Sequence, residues 1–182
     1  MADNVQLCSC FVDDLFVGID VRCVQEAVRN MEITRVPSSA RQVFGLINLR
    51  SQIVTAIDLR RCLDLPDRSA EQLPVHLILR TVDGLISLLV DEVGTVIEPD
   101  CLTLESPPAA LHKRLCDLVH ETYKLPERLL LVLDLHRLLT AVSNATASAD
   151  STKNHFGESL LALDLGPDGK MTNEDSQARI LA

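Results

Sequence analysis

Tryptophan is missing from this chain, and aromatic residues make up only 3% of it: four Phe and one Tyr. A core must therefore be built from Leu, Val and Ile, and there is no aromatic platform on which nucleobases could stack. Cations are also scarce. The 17 Lys and Arg face 26 Asp and Glu, for a formal charge of −9. Affinity for a phosphate backbone comes from Lys and Arg clusters, so nucleic acid is not an expected partner. Seven glycines leave little material for phosphate-cradling loops, and no P-loop, G-x-G-x-x-G or G-x-S-x-G occurs. No apolar run approaches the roughly 18 residues of a membrane span. The longest is Leu129–Leu133. The first residues carry Asp3, Asp13 and Asp14 without a basic stretch, which does not fit a signal peptide. The expectation is a cytoplasmic protein, not inserted in the membrane, whose thiols are reduced.

Catalytic patterns are missing too. The cysteines are Cys8, Cys10, Cys23, Cys62, Cys101 and Cys116, and no pair has the C-x-x-C spacing of zinc or redox sites. Cys8 and Cys10, two apart, share one face of a strand and read as small apolar core residues. His76, His112, His120, His136 and His155 are scattered, with no H-E-x-x-H. His76 and His120 fall in expected strands and read as solvent-facing or satisfied side chains. The carboxylate pairs Asp13-Asp14 and Asp91-Glu92 are adjacent, so on strands each pair points to opposite faces. No catalytic residue, metal site or cofactor is expected. A small Cys- and His-based enzyme stands as the alternative from another class.

The charge is uneven. Residues 1–21 hold four acids and no base, whereas residues 22–68 hold eight Arg against five acids. Residues 69–140 return to acid, eleven against six, and residues 141–182 hold six acids against three bases. Arginine suits bidentate pairing with a partner's carboxylates. A solvated surface accounts for the island equally well.

Turn signals and alternation outline a β protein. Residues 6–12 and 15–21 read as strands around Asp13-Asp14, with Leu15, Val17, Ile19 and Val21 on one face. Residues 22–30 fit a helical turn or a bent strand, and residues 33–36 a short strand stopped by Pro37. Ser38 or Ser39 is expected to cap a brief helix ending at Gly45. Residues 46–58 form a hairpin about Arg50-Ser51-Gln52, and Asp58 caps a helix over 59–65. Residues 66–74 are a connector. The dipeptide Asp83-Gly84 turns a second hairpin, 75–82 with 85–90, because that turn needs positive φ. Residues 93–97 continue the sheet and 99–108 form a loop. Strands at 115–123 and 129–133 flank Pro126, and Asp134 caps a helix over 135–142.

The halves rhyme. Ile57-Asp58-Leu59-Arg60-Arg61-Cys62-Leu63 aligns with Leu133-Asp134-Leu135-His136-Arg137-Leu138-Leu139, and each half runs from hairpin to excursion to strand to helix. Two similar small β subdomains are expected, one over about 14–65 and one over about 75–142, with terminal strands open to exchange between them. Residues 143–182 are polar and read as a disordered tail. In it, the apolar patch 160–165 is the one candidate for a short docking segment.

Four blocks carry a resemblance: Val24-Gln25-Glu26, Ile33-Thr34-Arg35-Val36-Pro37, Gly45-Leu46-Ile47-Asn48-Leu49-Arg50 and Ile57-Asp58-Leu59-Arg60. In this order and spacing, the stretch 17–63 resembles the CheW family, adaptors of bacterial chemosensory arrays, and the likeness extends over about 5–142. The resemblance implies a mainly β fold of two five-stranded SH3-like barrel subdomains with short helices and a hydrophobic core between them. It implies a non-catalytic adaptor joining the cytoplasmic tip of methyl-accepting chemoreceptors to the regulatory domain of a CheA-type histidine kinase, recruited to membrane receptor arrays. An adaptor of a non-chemotaxis array, controlling surface motility or a second messenger, fits equally. By the resemblance, Glu26 and Arg50 belong to the partner-binding surface, with Val24 as apolar companion. The sequence departs from the family in having Ser51 where a Gly usually follows Asn-Leu-Arg. It also has Thr55-Ala56 where Pro is frequent, and Asp117-Leu118 where a late Gly is common.

Overall fold

Short polar turns dictate most of the strand pairing. Asp13-Asp14 closes an antiparallel hairpin between β1 (Leu7–Val12) and β2 (Leu15–Asp20), with Asp13 at φ 57°. The structure, a computed structural model, describes residues 5–37, 39–99, 103–105 and 113–157. After β2 the Asp20 carboxylate accepts the Arg22 N–H and caps a single 3-10 turn, Val21–Cys23. That turn leads into β3 (Val24–Val28), so the segment 22–30 is a turn followed by a strand. Next come β4 (Ile33–Thr34), β5 (Val43–Leu49), β6 (Gln52–Asp58) and the one-turn helix α1 (Leu59–Cys62). The second half holds β7 (Val75–Thr81), β8 (Gly84–Val90), β9 (Glu92–Ile97), β10 (Leu104–Glu105), α2 (Lys113–Leu118), β11 (Val119–Lys124), β12 (Leu129–Leu133) and α3 (Leu135–Gly157).

Two six-stranded sheets result, in the orders β10-β11-β12-β2-β1-β9 and β4-β5-β6-β8-β7-β3. Written this way they have the same topology. Each has a central hairpin (β1-β2 or β7-β8) whose second strand lies parallel to the last strand of a run from the other repeat (β12 or β6). Each also ends in a two-residue edge strand, so each is a five-stranded unit plus a short edge pair. The sequence repeat is therefore real, β1–β6 against β7–β12.

The expected boundaries, 14–65 and 75–142, do not match the sheets. The hairpin β7-β8 joins β3–β6, and β1-β2 joins β9–β12, so each sheet combines one repeat's hairpin with the other repeat's remaining strands. The chain changes sheets at the 3-10 turn after β2 and again at Asp91. There β3 pairs with β7, and β9 pairs with β1. Hairpin signals act locally and report only β1-β2, β5-β6, β7-β8 and β11-β12. The partner of β3 or β9 is chosen by tertiary packing.

Burial explains the near-continuous apolar runs. One face of β7 and β8 contributes Leu77, Leu79, Leu88 and Val90 to a large core shared by both sheets, where Cys8, Cys10, Val17, Ile19 and Leu131 also lie. The opposite face sends Ile78 and Leu89 into a second cluster with Ile47, Leu49, Val54 and Ala56. A matching third cluster, Leu7, Tyr123, Leu130 and Val132, fills the other sheet's own interior. A strand buried on both faces loses its alternation.

Four local expectations are corrected. Residues 39–44 are not helical: Val43 already pairs with β6, and Gly45 lies within β5. A Cβ there would come 2.5 Å from the Thr34 carbonyl oxygen and 2.6 Å from Ile33 Cγ2, so glycine permits close approach of β4 and does not break a helix. Residues 115–118 are helical because Leu115 and Leu118, three apart, bury one helical face. In the second hairpin the loop residues are Val82-Asp83; Gly84, at φ 124°, opens β8 opposite Thr81. The helix after Asp134 continues past Val142 to Gly157. Leu138 and Val142 bury its first turns, and no Gly or Pro interrupts the Ala-rich stretch that follows. The part of the expected tail from 143 to 157 is thus helix. Residues 158–182, with the patch 160–165, lie outside the described residues, as do Cys101, His112 and most of the loop 99–108.

Candidate partner-binding site

The β5-β6 hairpin ends in a two-residue turn, Arg50-Ser51, between the paired Leu49 and Gln52. Both turn residues have positive φ, 49° and 70°, as the right-handed strand twist demands of such a tight loop. The Asn48 side chain accepts the Ser51 N–H at 2.9 Å and steadies the turn. Serine in this left-handed conformation carries a cost of about 1 kcal/mol that glycine would not. The turn projects Arg50 into solvent, and its guanidinium meets the Glu26 carboxylate on β3 at 2.7 Å.

The structure thus brings together two of the three expected site residues from positions 24 apart. Glu26 is half-buried and Arg50 is 74% exposed, so the pair contributes at most about 1 kcal/mol to folding. Gln25 bridges Glu26 to Arg80 on β7, and Ile53, 69% exposed, lies three residues beyond Arg50. Val24, the third, is half-buried against the shared core and does not form an open apolar contact.

Four more arginines of the island fall into two pairs. Arg60 and Arg68 are buried, a role that sequence reasoning missed. Arg60 donates to both Asp91 carboxylate oxygens (Nε to Oδ1 at 3.1 Å, Nη2 to Oδ2 at 2.7 Å) and reaches Asp13 at 3.3 Å. Arg68 bridges Asp91 (2.6 Å) and Asp58 (2.7 Å). Asp58 also caps α1 through the Arg60 N–H, and Asp91 accepts the Asp13 N–H. The network therefore fastens the crossover at Asp91 to the β1-β2 turn, α1 and the connector. Of its members only Asp58 falls in the repeated Asp-Leu-x-Arg pattern, whose arginine is Arg61 and pairs elsewhere, with Asp67. Arg35 and Arg61 instead flank the Phe44 ring at 4.8 and 4.9 Å.

Buried thiols and imidazole serve packing. Burial pushes Cys10 and Cys62 up to about 12, so both are neutral thiols in the core. His76, held inside its sheet, shares a 2.9 Å hydrogen bond between Nδ1 and Ser87 Oγ, while burial and then the Arg68 charge push its pKa down. His120 is exposed. Among the described residues no helix is long and apolar enough to cross a membrane.

An exposed ion pair joining an edge strand to a hairpin tip suits contact with another protein, and comparison with known proteins identifies the setting. A family model described as CheW-like domain matches residues 6–143. The chain belongs to the CheW family. It is similar to the chemotaxis protein CheW of Treponema pallidum (strain Nichols), 26% identical over 76% of this chain and 84% of that protein. It is 30% identical to chemotaxis protein CheW of Bacillus subtilis (strain 168), over 73% and 85%. The crystal structure of the scaffolding protein TtCheW from Thermoanaerobacter tengcongensis superposes with a TM-score of 0.65 at 25% identity, covering 74% of this chain and 92% of that one. The mainly β architecture, with its two SH3-like subdomains, is the CheW fold, and family membership makes this chain a chemotaxis scaffold adaptor.

Proposed function

We propose that this CheW-family chain is a non-catalytic adaptor that couples the cytoplasmic tips of chemoreceptors to the regulatory domain of a CheA-type histidine kinase. Residues 1–142 carry the adaptor domain, and the protein works in the cytoplasm at receptor arrays. Glu26 and Arg50 form the centre of the partner-binding surface, and Val24 sets the position of its strand against the core. The observation that supports this most is the pairing of Glu26 with Arg50. Two residues from separate sequence blocks meet at an exposed rim where the pair adds little to stability. Desolvated by a partner, the same groups form charge-assisted hydrogen bonds worth about 1.5–3 kcal/mol each.

The test is titration calorimetry of Arg50→Glu, Glu26→Lys and the doubly swapped variant against a chemoreceptor tip fragment and a kinase regulatory domain, with thermal melts alongside. Each single variant should bind at least one partner about tenfold more weakly, roughly 1.4 kcal/mol, with its melt unchanged. The double swap restores attraction within the pair but reverses both charges toward the partner, so it should not recover binding. Unchanged affinity for both partners would refute the assignment. Recovery by the swap would reduce the pair to an internal clasp.

A further inference from the structure

Beyond the adaptor surface, the same sheet borders a cavity of about 450 Å³. It lies between the short strand β4, the start of β5, α1 and the connector 66–74. This volume falls within the roughly 300–1,000 Å³ typical of small-molecule sites. Its walls are apolar where Met31, Ile33, Phe44 and Leu73 face it, and His76 lines it from the buried side. His76 uses Nδ1 toward Ser87, and Nε2 has no hydrogen-bond partner among the described residues.

The charges lining the cavity do not cancel. Asp58 is matched by Arg68 at 2.7 Å and Asp67 by Arg61 at 3.0 Å. That leaves Arg35. Its guanidinium stacks on the Phe44 ring at 4.8 Å, and no carboxylate lies within ion-pair distance of it among the described residues. One uncompensated cation beside the apolar walls of Met31, Ile33 and Leu73 suits a ligand with one negative charge and a flat apolar body. A polyphosphate would need more positive charge than the site offers. A planar guanidinium engages a carboxylate with two parallel hydrogen bonds while its face stays on the ring.

We propose that this cavity binds a small planar organic anion, an aromatic or heteroaromatic carboxylate. Arg35 holds the carboxylate at the rim, Met31, Ile33 and Leu73 cover the ring, and His76 is available for a hydrogen bond to a ring heteroatom. The test is amide NMR of the full chain labelled with nitrogen-15. The probes are indole-3-acetate, its uncharged counterpart indole-3-acetamide, and acetate, which lacks the ring. Saturable shifts should cluster at residues 31–33, 44 and 73–76 with indole-3-acetate. The amide and acetate should each bind about tenfold more weakly, one lacking the charge and the other the ring. Arg35→Gln, a change at an exposed side chain, should leave the melt unchanged and make acid and amide bind alike. Absence of a saturable cluster at the cavity, shifts spread over the surface, or a preference for the acid that survives Arg35→Gln would each overturn the proposal.

Discussion

Replacing Asp91 by Asn probes the buried charge network most directly. The substitution keeps the side chain's shape and removes its charge. Asp91 accepts from Arg60 Nε and Nη2, Arg68 Nε and the Asp13 N–H, and both its side chain and those of the two arginines are less than a tenth exposed. Asparagine presents one oxygen and an NH2 group, and the NH2 can only oppose a guanidinium. Two buried cations are then left with Asp58 and the partly exposed Asp13. Removing one partner of a buried ion pair costs about 3–5 kcal/mol, because the remaining charge stays desolvated. For a chain of this size that is a fall in Tm of roughly 6–20 °C. Arg22→Ala, which breaks the exposed pair with Asp20, is the control and should cost less than about 1 kcal/mol.

The pH dependence gives a second readout. Burial alone pushes the Asp91 carboxyl up, but hydrogen bonds from Arg60 and the Asp13 amide, with the Arg68 and Arg60 charges, outweigh it and hold it below the usual range. A depressed carboxylate contributes stability that is present above the unfolded value, about 3.9. That stability is lost as pH falls through the lower folded value. Urea titrations of the native protein and Asp91→Asn should therefore differ by a constant amount from neutral pH to about pH 5 and converge below about pH 4. A loss under about 1 kcal/mol at pH 7, or a gap that persists in acid, would refute the reasoning.

Local geometry sets three further outcomes. Gly45→Ala places a methyl group against the Thr34 carbonyl and should destabilise the fold by about 1–3 kcal/mol, read as a lowered urea midpoint. Ser51→Gly relieves a serine at φ 70° and should raise Tm by a few degrees, about 1 kcal/mol. As set out above, Arg50→Glu and Glu26→Lys should weaken partner binding in calorimetry without shifting the melt.

Hairpins were legible in the sequence because their signals are local. Asp13-Asp14 and Arg50-Ser51 sit at observed turns, Asp58 and Asp134 cap the helices that follow them, and the Asp-Leu-x-Arg rhyme marks a true structural repeat. The assignment of strands to sheets was not legible. Glu26 pairs with Ile78, and Cys10 with Val93, across connections whose pairing depends on which faces must be buried together. The arginine island misled for a related reason. Charge counted along the chain does not distinguish Arg50 on a solvated turn from Arg60 and Arg68 in the interior. Only the strand exchange brings Asp91 to the arginines. Glu26 and Arg50 were reached through the family resemblance; composition alone gave no reason to pair them.

The exchanged hairpins separate two tasks. Glu26 and Arg50 both belong to the sheet of β3–β8, and their spacing is fixed by β3 pairing with β7 and by the β5-β6 turn. The Asp91 network sits instead where the chain crosses between the sheets, with Asp13 from one and Asp58 from the other. A partner that docks on the Glu26–Arg50 rim contacts one sheet and does not sense how firmly the two are fastened. Asp91→Asn, studied well below its lowered Tm, should then bind the receptor fragment and the kinase domain within about twofold of the native protein, under roughly 0.5 kcal/mol. Arg50→Glu should show the converse, full stability with weakened binding. A tenfold loss in folded Asp91→Asn would mean that the partner spans both sheets, and the docking surface would have to be redrawn across the crossover.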